Sequence, residues 1–492
     1  MTDLPILVTG ATGYIGGRLV PQLLAKGYRV RCLVRDPKRL RGRGWEDQVE
    51  VVAGDVLDEA TLGPALQGCQ AGFYLVHSMG AGEGLFEDCD HKAAANFARA
   101  AAAAGFSRII YLGGLGRRSE RLSKHLESRH QVGDVLREGS VPVTELRAAM
   151  IIGSGSASFE MIRALVSKLP IMVCPRWVSN RTQPIAIRSV LAYLIGCLEN
   201  PQTAGHVYDI GGPDVLTYKE MMSRFAKVLG RKRWIVVVPV LTPRLSAYWV
   251  NMVTPVPASI AFPLIEGLKS ETICEDHSIQ EMVHVEPVGF EDAVKFALEK
   301  IRLHEVETRW TNAIPAQGRR LGANFDPIGF LINDRQVVTT SVVDEKLFDQ
   351  VRRVGGDVGW YYADPLWEIR GWMDRAIGGV GLRRGRRDPN RIFVGDALDF
   401  WRVEDFIPGR RLLLHAEMMV PGDAWLEFLV EPRNDAPGST LTQTAFFKPT
   451  PFWGQLYWYL LYPLHWFIFR GMARGIVRAA EKSPQVESLV VG

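Results

Sequence analysis

A chain of 492 residues is too long for a single hydrophobic core, so two or three domains are expected. Its content of 47% hydrophobic and 23% charged residues is typical of a globular protein, and a net charge of +4 is too small to indicate a nucleic-acid partner. The six cysteines form no C-x-x-C pair or zinc-spaced cluster, which predicts no metal site and favours reduced thiols in the cytoplasm. An apolar strand begins almost at residue 1, so no signal peptide is predicted.

A glycine-rich loop follows the first predicted strand, residues 6–8, and precedes a predicted helix over residues 14–25. Its first glycine allows a tight turn, its second lets the backbone approach a pyrophosphate, and its third lets the helix pack against the strand. Because a second strand is predicted at βαβ distance, the loop predicts a dinucleotide site at the N-terminus of the helix. The residues expected to bind the cofactor are Gly10, Thr12, Gly13, Tyr14, Ile15 and Gly16.

The first half of the chain alternates strands and helices, which predicts an α/β fold with a doubly wound, mainly parallel sheet. The predicted strands cover residues 6–8, 29–34, 49–53, 71–76, 108–112 and 144–148. An apolar stretch over residues 234–268 contains five prolines, which exclude one long helix. Two interpretations of this stretch stay open, a segment that lines a cleft and a packed connection between domains.

The G-x-x-G-x-x-G spacing and the segment QPIAIRSVLAYL, residues 183–194, resemble the extended and atypical short-chain dehydrogenase/reductases, including the NmrA-like members. The resemblance extends to about residue 300 and implies a Rossmann fold with a small substrate lobe. It implies that Asp55 and Val56 flank the adenine, that His77 and Ser78 lie near the nicotinamide ribose, and that Gly113 and Gly114 lie beside the nicotinamide.

Arg35, at the end of the second strand, determines which cofactor is predicted. An acidic residue at this position binds the ribose 2′-hydroxyl of NAD, whereas an arginine accommodates the 2′-phosphate of NADP. Arg39 is a second candidate for the phosphate. Asp36 favours NAD, but Pro37 is expected to turn its carboxylate away. The sequence therefore predicts NADP(H).

The resemblance also implies a catalytic serine after the fifth strand and a Tyr-x-x-x-Lys pair on the next helix. Gly113 and Gly114 stand where the serine is expected, and the helix aligns with His125 at the tyrosine and Arg129 at the lysine. An imidazole can pass a proton near neutral pH, whereas an arginine stays charged and can hold the ribose.

Two functions follow from this departure. The first is an NADP(H)-dependent reductase with an altered proton relay, acting on a lipophilic carbonyl, enone or quinone-like substrate. The second is a redox-silent NADP(H)-binding sensor or assembly factor. A motif alone does not separate them.

The last third of the chain has a different pattern. A strand over residues 336–343, a helix over 344–354 and a series of strands separated by Pro-Gly turns predict an antiparallel meander, closed by a long helix over about 452–481. The predicted meander strands cover residues 391–398, 400–406, 411–420, 424–430 and 439–448. This order resembles the START-like helix-grip domains, which implies a cavity for an apolar ligand beneath the last helix. The predicted domains are residues 1–302 and 336–488, with a linker over 303–335.

Residues 449–469 carry no charge and are rich in aromatic side chains. They are interpreted first as a helix that lines a cavity. The alternatives are peripheral contact with the inner face of the membrane and a membrane span, against which Gly454, Gln455, Pro463 and His465 count.

The polar residues of the meander and an arginine cluster are interpreted mostly as solvated, because strand alternation leaves the inward face ambiguous. The meander residues are Asp399, Arg402, His415, Glu417 and Glu427, and the cluster is Arg383, Arg384, Arg386 and Arg387.

Overall fold

The structure, a computed structural model, describes residues 4–77, 85–116, 122–238, 250, 253–256, 258–303, 305–312, 332–433, 436–450 and 453–483. The chain divides into two compact units, residues 1–318 and 319–492. Each unit has its own hydrophobic core.

Short strands and amphipathic helices alternate through the first unit. Its strands are β1 (Ile6–Thr9), β2 (Val30–Val34), β3 (Glu50–Ala53), β4 (Ala71–Tyr74), β5 (Arg108–Gly114), β6 (Val143–Ala148), β7 (Ile151–Ile152), β8 (Ile171–Pro175), β9 (Arg181–Thr182), β10 (Ile185–Ala186), β11 (Val207–Ile210), β12 (Leu216–Thr217) and β13 (Trp234–Val238). Its helices are α1 (Gly16–Ala25), α2 (Leu62–Leu66), α3 (Leu85–Ala103), α4 (Lys124–Glu138), α5 (Ala157–Lys168), α6 (Ile187–Glu199), α7 (Tyr218–Val228), α8 (Ala258–Gly267), α9 (Ile279–Met282) and α10 (Phe290–Arg302).

Seven of these strands form one parallel sheet in the order β11-β6-β5-β4-β1-β2-β3. The residues of β1 and β4 are completely buried, because helices cover both faces of the sheet. Crossing from β1 to β4 reverses the direction in which the chain builds the sheet, and ligands bind at such a point beyond the carboxyl ends of the strands. The predicted doubly wound Rossmann fold is confirmed.

Three two-stranded sheets lie beside the main sheet and form a smaller lobe. They pair β7 with β10, β9 with β12, and β8 with β13. An apolar cluster of this lobe contains Phe159, Met222 and Phe225.

Several predicted boundaries of the first unit differ from the structure. The helix predicted from residue 14 begins at Gly16, and the strand predicted over 71–76 ends at Tyr74. The strand predicted over 108–112 continues to Gly114. The predicted linker was wrong at its start, because residues 305–312 pack on the first unit: Arg18 donates to Thr308 Oγ1 over 2.9 Å.

In its described part, the second unit contains a six-stranded antiparallel sheet and three α-helices. Its elements are β14 (Ile332–Thr340), α11 (Asp344–Val351), α12 (Asp364–Ala376), β15 (Ala397–Leu398), β16 (Trp401–Ile407), β17 (Arg411–Ala416), β18 (Gly422–Pro432), β19 (Ser439–Pro449) and α13 (Trp453–Lys482). The strand order is β14-β19-β18-β17-β16-β15. The predicted antiparallel meander and long last helix are confirmed, whereas most of the strand predicted over 391–398 is irregular.

Aromatic rings fill the interior of the second unit. Trp360 stacks on Phe400 with ring centroids 6.2 Å apart and also contacts Trp367 and Trp401. The far half of α13 closes this core with Met472 and Ile476, both fully buried.

The interpretation of the meander's polar residues and of the arginine cluster as mostly solvated was wrong for several of these residues. Arg402 and Glu417 are buried and form an ion pair of 2.7 Å, and Arg384 donates to the same carboxylate. Arg387 is likewise buried and pairs with Asp396 at 3.1 Å. Asp399 is buried and accepts a hydrogen bond from the Trp360 indole. Single-sequence patterns did not reveal these pairs, because they join different elements.

Candidate cofactor and active site

A cavity of about 1000 Å³ runs from the carboxyl ends of the parallel strands into the smaller lobe. One end is lined by the glycine loop and by residues that follow β2, β3 and β4. The other end is lined by apolar side chains of α5, β8 and α8. The predicted cofactor-binding and catalytic residues that the structure describes lie on this cavity, with the exception of the candidate Arg39; Ser78 lies outside the described residues.

The glycine loop forms a cradle that excludes side chains. Gly10 has φ of +70°, and a Cβ atom there would lie 2.6 Å from the carbonyl oxygen of Leu75. A Cβ atom at Gly16 would overlap the carbonyl oxygen of Gly10. The amide of Gly13 donates to Gly10 over 2.8 Å, which closes the turn before α1. At these two glycines the backbone has no room for a side chain, so a pyrophosphate can approach it closely at the N-terminus of α1.

Arg35 is exposed on the cavity wall, directly after β2. The carboxylate of Asp36 accepts a hydrogen bond from the Lys38 amide over 3.0 Å and caps a 3₁₀ helix, so it is turned away as expected. Arg39, the second predicted phosphate ligand, is buried instead.

Arg43 contacts the glycine loop, and sequence reasoning missed this contact. Its guanidinium donates to the carbonyl of Thr12 in the glycine loop over 3.4 Å. The basic run that contains Arg39, Arg41 and Arg43 was the available signal, but only the fold selects which arginine reaches the loop.

Asp55 and Val56 line the cavity after β3. The Asp55 carboxylate accepts a hydrogen bond from the amide of Leu57 over 3.0 Å, and the Asp55 amide donates to Thr61. These contacts hold the turn that forms one side of the predicted adenine site.

His77 follows β4 and is fixed by a buried carboxylate. Its Nδ1 lies 2.9 Å from Asp90 Oδ2, on α3, and its Nε2 is buried with no hydrogen-bond partner among the described residues. Burial lowers the pKa of His77, although the hydrogen bond to Asp90 acts in the opposite direction. Asp90 was missed by sequence reasoning, because no local pattern connects it to His77.

His125 lies beside His77, with ring centroids 5.0 Å apart. Ser123 caps α4 by accepting a hydrogen bond from the Leu126 amide, which sets His125 in the first turn of the helix. Burial holds the pKa of His125 well below its usual range, and the neighbouring His77 and Arg129 lower it further. Both imidazoles are therefore neutral at pH 7.

Arg129 lies one turn after His125, so the predicted pair shares one face of α4. Its guanidinium donates to the carbonyl of Leu112, at the end of β5, and lies 5.2 Å from the ring centroid of Tyr111. The Tyr111 hydroxyl is itself occupied, because it donates to the Arg129 carbonyl over 2.9 Å. Tyr111 is therefore not in a position to replace the missing tyrosine.

Gly113 and Gly114 line the cavity where the resemblance implies a serine. A Cβ atom at Gly114 would lie 2.9 Å from the side chain of Leu126, and one at Gly113 would lie 3.1 Å from the Glu145 carboxylate. A serine at Gly114 would therefore require the side chain of Leu126 to move, because α4 packs closely on the end of β5 at this point.

The far half of the cavity is apolar. It is lined by Met161, Leu165, Met172, Trp177, Met222 and Leu264. The interpretation of the proline-rich stretch as cleft-lining agrees with this, because Ile260, Pro263 and Leu264 belong to that stretch and line the cavity. Trp310, from the predicted linker, also lines it.

The comparisons with known proteins match the two units to different families. Residues 10–157 match a family described as NAD(P)H-binding. A (4-alkanoyl-5-oxo-2,5-dihydrofuran-3-yl)methyl phosphate reductase of Streptomyces griseus is 31% identical over 233 residues, which are 46% of this chain and 74% of that protein. The chain belongs to the NAD(P)H-binding family. The predicted cofactor is thereby confirmed as NAD(P)H.

Other relatives of this NAD(P)H-binding protein differ in what they do. A ceramide reductase of Caulobacter vibrioides is 29% identical over 238 residues, 48% of this chain and 73% of that protein. A photosystem II assembly factor of Trieres chinensis, Ycf39, is 23% identical over 248 residues, 49% of this chain and 74% of that protein. Residues 328–472 match a family described as a protein of unknown function, DUF2867.

Proposed function

We propose that the chain is an NADP(H)-dependent reductase of an apolar carbonyl, enone or quinone-like substrate. One observation carries the proposal: His125 lies on the wall of a cavity that has the glycine cradle at one end and an apolar lining at the other. Pockets with an apolar lining and a few polar groups are typical of small-molecule sites. The reductases among its relatives support this reaction type.

The preference for the phosphorylated dinucleotide rests on Arg35. Its guanidinium is exposed on the cavity wall, while the competing carboxylate of Asp36 is engaged in a helix cap. An arginine fork matches a phosphate in shape and charge. Arg43, at the glycine loop, adds a second cation on this side of the cavity.

The chain's own residues supply the proton and the orientation. NADPH, when bound, supplies the hydride. The substrate double bond gains that hydride with its two electrons and one proton, which His125 donates from its imidazolium form; solvent then reprotonates His125. Asp90 holds the Nδ1 proton of His77, so His77 presents its Nε2 as an acceptor beside His125. Arg129 keeps a fixed positive charge next to both rings.

The proton donor predicts a pH dependence. Because the pKa of His125 is lowered by burial, His77 and Arg129, the imidazolium fraction is small at pH 7 and rises as the pH falls. Turnover with NADPH is therefore expected to increase from pH 8 toward pH 6. A profile that is flat over this range would show that His125 is not the donor.

The experiment that tests the proposal follows NADPH consumption with a panel of hydrophobic enones and quinones. His125→Ala is expected to lower kcat by about 10²–10⁴ and to leave NADPH affinity nearly unchanged. His284→Ala, at an exposed histidine, is the matched control and is expected to behave like the parent protein. Unchanged turnover in His125→Ala would contradict the assigned role.

The second candidate function is a redox-silent NADP(H)-binding assembly factor or sensor. The absence of the family's serine, tyrosine and lysine favours it, and one relative is an assembly factor. If the parent protein binds NADPH but consumes none over the whole panel, this function replaces the reductase.

For the second unit, a START-like fold with an apolar ligand stays a proposal. The strand order and the long last helix support the fold, whereas the stacked rings of Trp360, Phe400 and Trp401 occupy its interior. We therefore assign the lipophilic substrate to the cavity of the first unit.

A further inference from the structure

The first half of α13 turns an uncharged apolar face to solvent. Its exposed side chains recur at intervals of three and four residues, so they share one side of the helix, while Trp458 and Phe469 on the other side are buried. The exposed residues include Trp453, Leu456, Tyr459, Leu460, Trp466 and Phe467, with exposed fractions of 43–75%. These aromatics therefore do not line an interior cavity, which corrects the first interpretation of this helix; Phe452 lies outside the described residues.

Helix α12 carries a second exposed apolar stripe. Ile369, Trp372, Met373 and Ile377 are 56–69% exposed. The two helices meet at one point of the core, where the buried rings of Trp367 and Phe469 lie 6.4 Å apart. The stripes of α12 and α13 together are called the aromatic face below. Single exposed apolar residues are ordinary, but a contiguous patch marks an interaction site.

Cations border the aromatic face. Arg470, Arg474 and Arg478 follow Phe467 at intervals of three and four residues, so the exposed side of α13 changes from apolar to basic along one helix. The Arg470 guanidinium lies 4.9 Å from the Trp466 ring centroid. Lys448 is exposed just before the helix.

We propose that the aromatic face seats in the interfacial layer of a bilayer that contains anionic lipids. Tryptophan and tyrosine favour this layer, and flanking arginines pair with anionic headgroups. None of the helices in the described part of the chain combines the length and hydropathy that a membrane span requires. In the proposed arrangement, α13 lies along the surface of the bilayer. A two-fold contact between two copies of this face would bring the arginines of both copies close together, and their repulsion disfavours a dimer. The inference rests on the second unit alone and holds whether or not the first unit reduces a substrate.

The test uses the full chain and sedimentation with vesicles of phosphatidylcholine, with or without phosphatidylglycerol. The parent protein is expected to bind vesicles that contain phosphatidylglycerol. The double variant Leu460→Glu, Trp466→Glu places two negative charges on the aromatic face and should weaken vesicle binding by about tenfold or more. Trp234→Glu, at a tryptophan of the first unit that is 72% exposed, is the matched control and should bind like the parent. Arg474→Gln with Arg478→Gln should reduce the preference for anionic lipid by about tenfold.

A readout on the parent protein does not depend on the folding of any variant. Lipids brominated on the acyl chain should quench part of its tryptophan fluorescence, since Trp453, Trp466 and Trp372 would enter the bilayer. Failure of the parent to bind either vesicle would overturn the proposal. So would equal binding by the double variant. A parent dimer that this variant converts to monomers, with no vesicle binding by either, would assign the face to a second copy instead.

Discussion

The two units place apolar side chains in opposite ways. In the first unit, methionine, leucine and tryptophan side chains surround an open cavity of about 1000 Å³. In the second, aromatic rings stack into a filled core, and a further set of aromatic and aliphatic side chains faces outward from α12 and α13. Composition alone does not distinguish the lining of a cavity from an exposed apolar surface, because both contain the same residue types.

The buried polar groups differ in the same way. The first unit keeps two histidines neutral beside its cavity, where they can exchange protons with a ligand. The second unit surrounds Glu417 with Arg384 and Arg402. Although burial acts to raise it, these two guanidinium groups hold the pKa of Glu417 at about 2. A carboxylate that is fully paired in this way serves structure, whereas an imidazole with an open nitrogen can serve chemistry.

The largest effect is expected from Gly13→Asp in the cradle of the first unit. A carboxylate there would face the pyrophosphate, and like charges in contact cost several kcal/mol, so NADPH affinity should fall by about 10³-fold or more. Isothermal titration calorimetry measures the NADPH affinity of the variant and the parent protein. Gly63→Asp, at an exposed glycine with open space around it, is the matched control. An affinity within tenfold of the parent would show that the loop does not hold the dinucleotide.

The filled core of the second unit is tested by Glu417→Gln. The substitution removes the carboxylate that two buried guanidinium groups share, so stability should fall by about 3–5 kcal/mol. Glu427→Gln removes a partly buried pair with Arg411, which keeps Asp405 as a charged partner, and should cost about 1 kcal/mol. Urea unfolding followed by tryptophan fluorescence compares the two variants. Equal losses would mean that burial does not distinguish the pairs.

Arg35→Ala tests the specificity of the cavity. Loss of one charged contact with the 2′-phosphate should weaken NADPH binding by about 10–100-fold and leave NADH binding nearly unchanged. Arg41→Ala, at an exposed arginine of the same basic run, is the control and should alter neither affinity. A parent protein that binds NADH and NADPH equally well would contradict the NADP(H) preference.

The smallest effect concerns His465, on α13 between its buried and exposed sides. Burial, together with Arg370, lowers the pKa of His465 to about 4. The unfolded chain therefore binds more protons than the folded chain between about pH 6.5 and 4, so stability falls as the pH falls through this window. His465→Gln should remove on the order of 1 kcal/mol of this pH-dependent loss. Thermal unfolding at pH 7 and pH 5 measures it, and an unaltered pH dependence would contradict the burial of this ring.

The sequence by itself determined the features that depend on near neighbours along the chain. The glycine loop, Arg35 at the end of β2 and the Pro-Gly turns of the meander were all predicted, because turn geometry and strand alternation are set within a few residues. The pairing of His125 with Arg129 on one helix was predicted from the resemblance of that segment to the family's helix.

Only the tertiary structure brought together residues that are distant along the chain. It set Asp90 against His77, Arg43 against the glycine loop, and Glu417 between two arginines. It also decided which side of α13 is buried, since that side is chosen by packing on the sheet and not by the helix's own sequence, which is apolar on both sides. Such contacts depend on how helices and strands pack against one another, and local sequence patterns do not predict that packing.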